Sequence, residues 1–452
     1  MTPWTIIHKE RIERKRLDSE FYSIERLDVL EKIKKFDTSS LGDFCLVTSG
    51  STPVDRNDDL HEGIILLKTV NVQDGFINFS SEPYFIDEKI DSRMRSTRLQ
   101  SCDILVNIVG ATLDVIGRVA IISPNFPKSN ITQAMALIRV NSEQKNFLPE
   151  FVFAFLLSKY GRVQISKLAR PSGQFNLNHD EIRSILIPKI PIQQQKIFSK
   201  LVSEFFYAWE TSVIKAKESE TQLISKLGMS KWLPNDNLTY VKKFQDIKKT
   251  KRLDAEFFQP KFDDLVSQMS QQKIVTFNSF SKRDYGKSDI KNSEIYSYIE
   301  ISDVDPSIGD VNFTLRKGSE LPASAKIPVS GGELIISKVR PTRGAIGFVP
   351  LDIKNGICSN AFAVYKINSP LKEYLQVICR SIIGNLQFTK FAKGTSYPVI
   401  DDADVDNCIV PIISENDIRK ISIVVQESQK ARLDSKKILT KIQLEIENTL
   451  SN

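Results

Sequence analysis

The feature of this 452-residue chain that most constrains its fold is a long internal repeat. Groups of residues in the first half recur in the same order in the second half, and their offset shrinks along the chain from 236 to 223. This period far exceeds the ~20 to ~50 residues of a solenoid repeat, so it predicts the duplication of a whole domain. The matches are RLDSEFY at 16–22 with RLDAEFF at 252–258; 103–106 and 116–117 with 333–336 and 346–347; 129–130 with 359–360; and Glu150, Ala169 and Pro188 with Glu373, Ala392 and Pro411.

Each copy combines strand and helix patterns. Short β-rich runs bounded by turn residues predict buried strands at 64–67, 104–109, 334–336 and 361–365. After Pro149, apolar side chains recur every three to four residues, which predicts a helix. We therefore expect a mixed α/β (α+β) module in each half.

A long helix should follow each module. Pro188 and Pro411 mark the module ends, because proline is excluded from helix interiors and central strands. The first helix is expected from about residue 193 to 231, and the second begins at a capping box in which Asp417 follows Ser414 by three residues. The second helix carries apolar residues at heptad-like steps, interrupted by polar residues at 428, 432 and 435.

The apolar stripes of the two helices must be buried, and packing them on each other in antiparallel orientation achieves this. The alternative is that each helix packs on its own module. The predicted architecture is two tandem α/β modules with pseudo-two-fold symmetry, separated by two long antiparallel helices. The expected boundaries are 1–190 for the first module, 191–232 for the central helix, 233–411 for the second module and 412–452 for the C-terminal helix.

Composition and motifs exclude several classes of protein. The five cysteines are scattered without a C-x-x-C pair and the three histidines lie far apart, so we expect no metal site. No apolar run approaches the ~18 residues of a membrane span, and the N-terminus lacks a signal peptide, so a cytoplasmic location is expected. No Asn-Pro-Pro-Tyr-like tetrapeptide, P-loop, G-x-S-x-G or H-E-x-x-H is present, so we expect no catalytic residues.

Charge is distributed in a way that suits nucleic acid. The net charge is only +7, but no acidic residue occurs between Glu150 and Asp180, nor between Glu373 and Asp401. Both windows contain Lys and Arg and end in a polar segment, at 170–176 and 393–397. Cations can neutralise phosphates and amides can bond to base edges, so the windows favour a DNA-facing surface. The alternative is a solvated basic helix face.

Taken in order, these motifs resemble the specificity subunits of type I restriction–modification systems over essentially the whole chain. The second copy departs from the pattern, because it lacks Gly-x-Thr-Pro near 285–288 and opens its helix with Ser-Glu-Asn. The residues that carry the resemblance are the duplicated RLDxEF-aromatic segment, TSGSTP at 48–53, the 103–105 strand leading to Ile116-Gly117, Ser129-Asn130 with Gln133, and IPKIPIQQQKI at 187–197.

The resemblance implies that each module is a target recognition domain reading one half of a split asymmetric sequence in double-stranded DNA. The helices would set the spacer and dock two modification (methyltransferase) subunits, which carry S-adenosylmethionine and methylate adenine. Restriction/translocase subunits would add cleavage, and this chain would need no cofactor. The alternative is a scaffold that does not bind DNA and has two protein-interaction modules.

Candidate DNA-contacting residues are polar or cationic side chains placed in loops. Residues 338–343 are notable, because three cations lie in a strand-to-turn segment with Pro341 and because Arg suits a bidentate bond to guanine. The candidates in the first module are Ser51, Thr52, Lys68, Asn71, Arg118, Asn130, Gln133, Arg170, Ser172, Gln174 and Asn176; those in the second are Lys287, Lys338, Arg340, Arg343, Asn360, Lys393, Thr395, Ser396 and Tyr397.

Overall fold

The computed structural model describes residues 21–451, except 58, 61, 80–82, 114, 172–173, 251, 281–285, 287–288 and 395. Most of the first RLDxEF segment, at 16–20, therefore lies outside the described residues. The chain divides into two compact units. The first unit comprises Met1–Ala208 with Asp434–Asn452, and the second comprises Trp209–Leu433. The boundaries fall inside the two long helices.

The first unit is an α/β module with a segment of each long helix. The four-stranded sheet β2-β9-β5-β7 is antiparallel, whereas β3 pairs with β4 antiparallel and with β8 parallel. Its strands are β1 Thr38–Ser40, β2 Cys45–Ser49, β3 Ile64–Leu67, β4 Tyr84–Ile86, β5 Ile104–Asn107, β6 Val109–Gly110, β7 Val119–Ile121, β8 Ser129–Ile131, β9 Met135–Val140, β10 Arg170–Pro171, β11 Phe175–Asn176 and β12 Leu186–Pro188; its helices are α1 Ile24–Ile33, α2 Glu88–Arg93, α3 Pro149–Leu157, α4 Lys159–Leu168, α5 His179–Arg183 and the start of α6 Ile192–Lys226.

The second unit repeats this arrangement. The sheet β20-β19-β22 corresponds to β7-β5-β9, and β14 pairs with β21 parallel as β3 does with β8. Its strands are β13 Lys273–Thr276, β14 Ile295–Ile299, β15 Val304–Asp305, β16 Asp310–Val311, β17 Thr314–Lys317, β18 Ala325–Pro328, β19 Leu334–Ser337, β20 Ile346–Phe348, β21 Gly356–Ser359, β22 Phe362–Tyr365 and β23 Ile409–Ile412; its helices are α7 Phe244–Thr250, α8 Pro260–Met269, α9 Leu371–Arg380, α10 Ile382–Phe391, α11 Asp402–Asp406 and the start of α12 Glu415–Ser451. The expected α/β class is confirmed.

The exit prolines lie where they can be tolerated. Among the described residues, Pro188 in β12 belongs to a two-stranded sheet with β1, and Pro411 in β23 to a two-stranded sheet with β13. A proline has no N–H to donate to a neighbouring strand, so it is tolerated in an edge strand, which has a neighbour on one side alone. Each module therefore ends by pairing its last strand with its first.

The two long helices are antiparallel within the second unit. Ser428 Oγ donates to the carbonyl of Ser212 at 2.7 Å, and Lys226 Nζ lies 3.0 Å from Asp417 Oδ1, so residue numbers run in opposite directions along the contact. Within the first unit, Phe198, Leu201 and Phe205 of α6 share one core with Ile442 and Ile446 of α12. The predicted antiparallel packing is confirmed.

The ends of these helices follow from local sequence. Helix α6 stops at Lys226 rather than near 231, because Gly228 takes φ +67° and the N–H of Met229 bonds back to the carbonyl of Ile224. Ser414 caps the helix as predicted, since the N–H of Asp417 donates to Ser414 Oγ at 3.1 Å, but the Asp417 carboxylate accepts from the Ser414 hydroxyl, at 2.7 Å, in place of the main-chain bond of a full capping box. The polar residues that interrupt the second helix's apolar pattern are buried: Ser428, Arg432 and Ser435 are each at most 6% exposed.

The strand registers locate the gap between the copies. Leu105 and Ile335 are equivalent at offset 230, but Leu105 pairs with Ala120 whereas Ile335 pairs with Gly347, an offset of 227. Gly117 (φ +74°) therefore corresponds to Gly344 (φ +76°), and the sequence match of Ile116-Gly117 with Ile346-Gly347 is wrong. Three residues are missing from the second copy in the loop that links these strands.

Two features are absent from the part of the chain that the structure describes. Among the described residues, no helix has an apolar stretch long enough to cross a membrane. The same residues contain no cluster of His, Cys, Asp and Glu side chains that could hold a metal ion.

Candidate nucleic-acid interface

Each module contains a small three-stranded corner that brings the two polar segments of the sequence together. In the first module β11 pairs with both β10 and β6. In the second, Val399 bridges both Val339 and Lys393, which are the counterparts of Val109 and Arg170. We call these the first corner (108–117 with 170–177) and the second corner (338–344 with 393–400).

The corners share their backbone hydrogen bonds. The N–H of Leu177 donates to the Ile108 carbonyl at 2.9 Å, and the N–H of Ile400 donates to the Lys338 carbonyl at 2.9 Å. Ile108 and Lys338 in turn donate to the carbonyls of Ala134 and Ala361, at 3.0 and 2.7 Å. Gln133 and Asn360, both exposed, therefore occupy equivalent places beside the corners. The sequence had instead matched Asn360 with Asn130.

The loop of the second corner is tight and strained. Arg340 takes φ +46° and ψ +52°, a left-handed conformation that costs a non-glycine residue roughly 1–2 kcal/mol. Its N–H donates to the carbonyl of Pro398 at 2.8 Å, and a single 3₁₀ turn, Pro341–Arg343, follows it. Strain of this kind persists only where the surroundings hold it, and it is concentrated at functional positions.

The side chain of Arg340 is held by the neighbouring segment. Its guanidinium carbon lies 5.1 Å from the centroid of the Tyr397 ring, and Nη2 is 3.4 Å from the carbonyl of Ser396. The ring of Tyr397 is 58% exposed, so it forms an outward-facing platform. A cation stacked on an aromatic face is restrained without being neutralised.

Other predicted cations of the corners are neutralised by carboxylates of the same unit. Lys338 lies 3.0 Å from Asp402 and Lys393 lies 3.4 Å from Asp401. Arg170 is 2.8 Å from Glu181. Arg343 differs from these, because its side chain is exposed and no hydrogen bond or ion pair joins it to any residue that the structure describes. Within the described part of the chain, Arg340 and Arg343 thus carry charge that no carboxylate offsets.

The carboxylates of the second corner are themselves perturbed. Burial opposes ionisation of Asp401, but hydrogen bonds from the Asp404 main chain and from Lys393 hold the pKa of Asp401 below its usual value. Burial raises the pKa of Asp404. Asp401 caps helix α11 by accepting the N–H of Asp404 at 2.9 Å. Lys393 is therefore tied to a helix cap.

The first corner has a longer loop of different chemistry. Between Val109 and Gly117 it carries residues 110–116, GATLDVI, with no Lys or Arg. Ala111, Thr112 and Leu113 are exposed, Leu113 to 47%. These residues were not among the candidates chosen from the sequence, because the candidates were polar and cationic side chains. The signal available was an apolar residue in a turn-rich loop beside a polar segment.

The acid-free windows do not form one basic face. Arg162 pairs with Asp74, and Lys159 is 3.2 Å from Glu447. The guanidinium of Arg380 lies inside the second unit, where burial lowers its pKa to about 10. Cations in a window without acidic residues therefore pair with carboxylates from segments that are distant in sequence. The spacing of residues in the sequence cannot show these pairs.

Two predicted residues serve the interior. Asn71 and Asn130 are fully buried. Asn71 accepts the N–H of Lys68 at 2.9 Å, and Asn130 donates to the carbonyl of Met94 at 2.9 Å. Both side chains form hydrogen bonds to the main chain inside the module, so neither faces a ligand in this structure.

The remaining predicted residues are at or near the surface. Lys68 Nζ lies 4.4 Å from the centroid of the Tyr84 ring, and the guanidinium of Arg56, a residue the sequence search missed, lies 4.3 Å from it. Ser172, Lys287 and Thr395 lie outside the described residues. Ser51, Gln133, Gln174, Asn360 and Ser396 are exposed, and Thr52, Arg118 and Asn176 are partly exposed.

Comparison with known proteins gives no match by sequence and several by structure. No protein-family model matches the chain, and no curated protein is significantly similar to it. The chain is similar in structure to a type I restriction–modification S subunit from M. genitalium, with 13% identity, a TM-score of 0.42, and coverage of 92% of this chain and 94% of that one.

Two further structures are similar over the same length. The HsdS subunit from Thermoanaerobacter tengcongensis has 14% identity, a TM-score of 0.29 and coverage of 92% of this chain and 96% of that chain. A chain from a structure of type I R-M complex assembly and conformational transition has 14% identity, a TM-score of 0.29 and coverage of 92% and 97%. Each of these three structures comes from a type I restriction–modification system, and each is similar to this chain over most of its length.

Proposed function

We propose that this chain is a sequence-specific DNA-binding subunit, the specificity subunit of a type I restriction–modification complex. Each corner would contact one half of a split target in double-stranded DNA. The observation that carries the proposal is the duplicated corner, in which the same backbone frame presents an exposed loop and a polar segment. In the second corner two arginines have no carboxylate partner among the residues that the structure describes, which suits phosphate and base contacts.

The chain would recognise DNA without acting on it. The chemistry would reside in partner subunits, two modification subunits that bind S-adenosylmethionine and restriction/translocase subunits. In the second unit the paired helices expose Ile214 to 63% and Ile423 to 54%, on a groove between α6 and α12. Exposed apolar residues on a helix pair support a docking platform for a partner protein. Co-purification of co-expressed subunits would test this, and failure to form a complex would contradict it.

The DNA-binding proposal is tested by the salt dependence of affinity. The full chain is titrated with a pool of random duplexes at 50 and 200 mM salt. Phosphate contacts release counter-ions, so affinity should fall steeply, and Arg343→Gln should reduce the slope of log K against log[salt] by about one. A flat response in the wild type would contradict DNA binding and would favour the protein scaffold.

Selection and sequencing of the bound duplexes then tests the split target. The duplex pool is enriched on the full chain, and the bound sequences should contain two short conserved blocks separated by a fixed number of unread positions. One block with no second half would contradict the two-reader proposal. Variable spacing between two blocks would contradict the role of the helices in setting the spacer.

A further inference from the structure

The two corners share a frame but differ in the loop that each presents. The second corner has a four-residue loop, 340–343, with two arginines, whereas the first has seven residues, 110–116, without a cation. Backbone pairing fixes the start of both loops, at Val109 and Val339, and each loop ends at a glycine of positive φ, Gly117 or Gly344. The difference in chemistry therefore lies at equivalent places in the two modules.

The backbone and the side chain of Arg340 are both restrained. Its left-handed backbone conformation is one that glycine would adopt freely. The guanidinium of Arg340 stacks on Tyr397, and no carboxylate among the described residues is bonded to it. A guanidinium restrained in a plane loses little further freedom when it forms two parallel hydrogen bonds.

The geometry points to these loops as the base readers and to different bases in the two half-sites: guanine for the second corner and the methyl group of thymine for the first. This inference rests on the proposed function. Arg340 reads the guanine O6 and N7, and Tyr397 positions the guanidinium. Leu113, the exposed apolar side chain of the longer loop, contacts the thymine methyl group.

The chemistry of the major groove supports this assignment. Guanine alone presents two adjacent acceptors there, which match the fork of an arginine. The thymine methyl is the one apolar feature of the groove edge, and the exposed Leu113 can contact it from a loop whose one charged residue in the sequence is Asp114. A cation in the first loop would instead favour an acceptor-rich base.

The test uses the full chain and a pool of duplexes with random positions, enriched by binding and sequenced. Arg340→Gly should fold at least as well as the wild type, because glycine accepts the left-handed conformation. It should reduce the preference for guanine at one position of one half-site by roughly ten- to a hundredfold and leave the other half-site unchanged. Leu113→Ser should reduce a thymine preference a few-fold in the other half-site only.

Conservative variants separate base reading from phosphate binding and from structure. Arg340→Lys keeps the charge but loses the two parallel bonds, so the guanine preference should still fall. Tyr397→Ala should weaken the same guanine preference, whereas Tyr397→Phe keeps the aromatic face and should retain it. If Arg340→Lys preserved the preference and Arg340→Gly lowered affinity for every sequence equally, Arg340 would be a phosphate contact and the inference would fail.

Failure of the inference is distinguishable from failure of the proposed function. A split motif whose two halves are unaffected by Arg340→Gly and Leu113→Ser, or whose altered positions are not guanine and thymine, would overturn the inference and leave a DNA-reading subunit. Absence of any enriched motif in the wild type, with flat salt dependence, would overturn both.

Discussion

Each unit contains a short hairpin, 72–77 in the first and 304–311 in the second, and the two hairpins are supported differently. In the first unit, Gly75 at the hairpin tip packs against Leu439 of helix α12, whose methyl carbon lies 2.6 Å from where a Cβ would stand. In the second unit the tip, Gly309-Asp310, meets Arg432 of the same helix, with Nε 3.0 Å from Asp310 Oδ2 and the guanidinium 4.3 Å from the Trp209 ring centroid. One copy uses apolar packing and the other a buried ion pair.

A second difference lies at the start of the same hairpin. Asn71 and Asp303 occupy equivalent turn positions, each accepting the N–H of the residue three before it, Lys68 or Glu300. Burial raises the pKa of Asp303 to about 6, whereas Asn71 has no charge to desolvate. Duplicated modules can thus keep a backbone while exchanging neutral for ionisable side chains, because the backbone requires only the hydrogen bond.

The largest expected effect comes from breaking the ion pair of the second unit. Arg432→Ala should lower the free energy of unfolding by about 3 kcal/mol, because it leaves Asp310 partly buried without its cation. Leu439→Ala, the matched change in the first unit, should cost about 1–2 kcal/mol, since only partly buried methyl groups are lost. Urea denaturation measures both.

The double variant Arg432→Met with Asp310→Leu is the control for the ion pair. Replacing both charges by apolar groups should recover most of the loss, because the pair offsets its own desolvation. If the double variant were as unstable as Arg432→Ala, shape rather than charge would support this hairpin, and the contrast between the units would disappear.

An intermediate effect is expected from exchanging the turn residues. Asn71→Asp should destabilise the protein at neutral pH by about 2 kcal/mol, because a buried carboxylate would replace the amide that donates to the Asn78 carbonyl. Asp303→Asn should stabilise it by roughly 1 kcal/mol at neutral pH, since it removes a desolvated charge.

The pH dependence of stability checks this exchange. The pKa of Asp303 is raised from 3.8 to about 6, so the folded chain holds a proton that the unfolded chain has released. Its contribution to stability is therefore complete below about pH 4 and is lost as the pH rises to about 6. The difference in unfolding free energy between Asp303→Asn and the wild type should grow across that window. A constant difference would show that Asp303 titrates normally.

The smallest effect is expected at the ion pairs of the two corners. Lys393→Ala should change the free energy of unfolding by less than about 1 kcal/mol, because both side chains of its pair with Asp401 are more than half exposed. Arg170→Ala should also cost less than about 1 kcal/mol, because the Arg170 side chain is half exposed and the buried Glu181 keeps the hydrogen bond from the N–H of Asn178. Thermal unfolding at low and high salt measures this. A loss of several kcal/mol at either site would mean that its ion pair is part of the core and not a surface contact.

The candidate site could be predicted only in part from the sequence. Arg340, Arg343 and Tyr397 were chosen because cations, proline and an aromatic residue lie in turn-rich segments, which are local features, and the structure places all three on the surface. Asn71 and Asn130 were chosen for the same reason, yet both are buried. Leu113 was missed because a lone apolar residue in a loop resembles a core residue until its exposure is known.

The fold could be predicted further, with one error of register. The closing prolines, the strand positions and the helix cap at Ser414 depend on residues close in sequence, and the structure shows them, as it shows the repeat. The gap between the copies was misplaced, because Ile-Gly occurs near the loop in both halves by chance. Only the pairing of β5 with β7 and of β19 with β20 locates it.

The sequence by itself determined that this protein is a duplicated α/β module with two long helices, because periodicity, prolines and caps act over a few residues. Only the tertiary structure decided which cations remain without counter-charges. Arg162 forms an ion pair with Asp74, and Lys338 with Asp402, whereas Arg343 has no carboxylate partner among the described residues. Ion pairing depends on distance in space, and chain folding brings together charges that are dozens of residues apart.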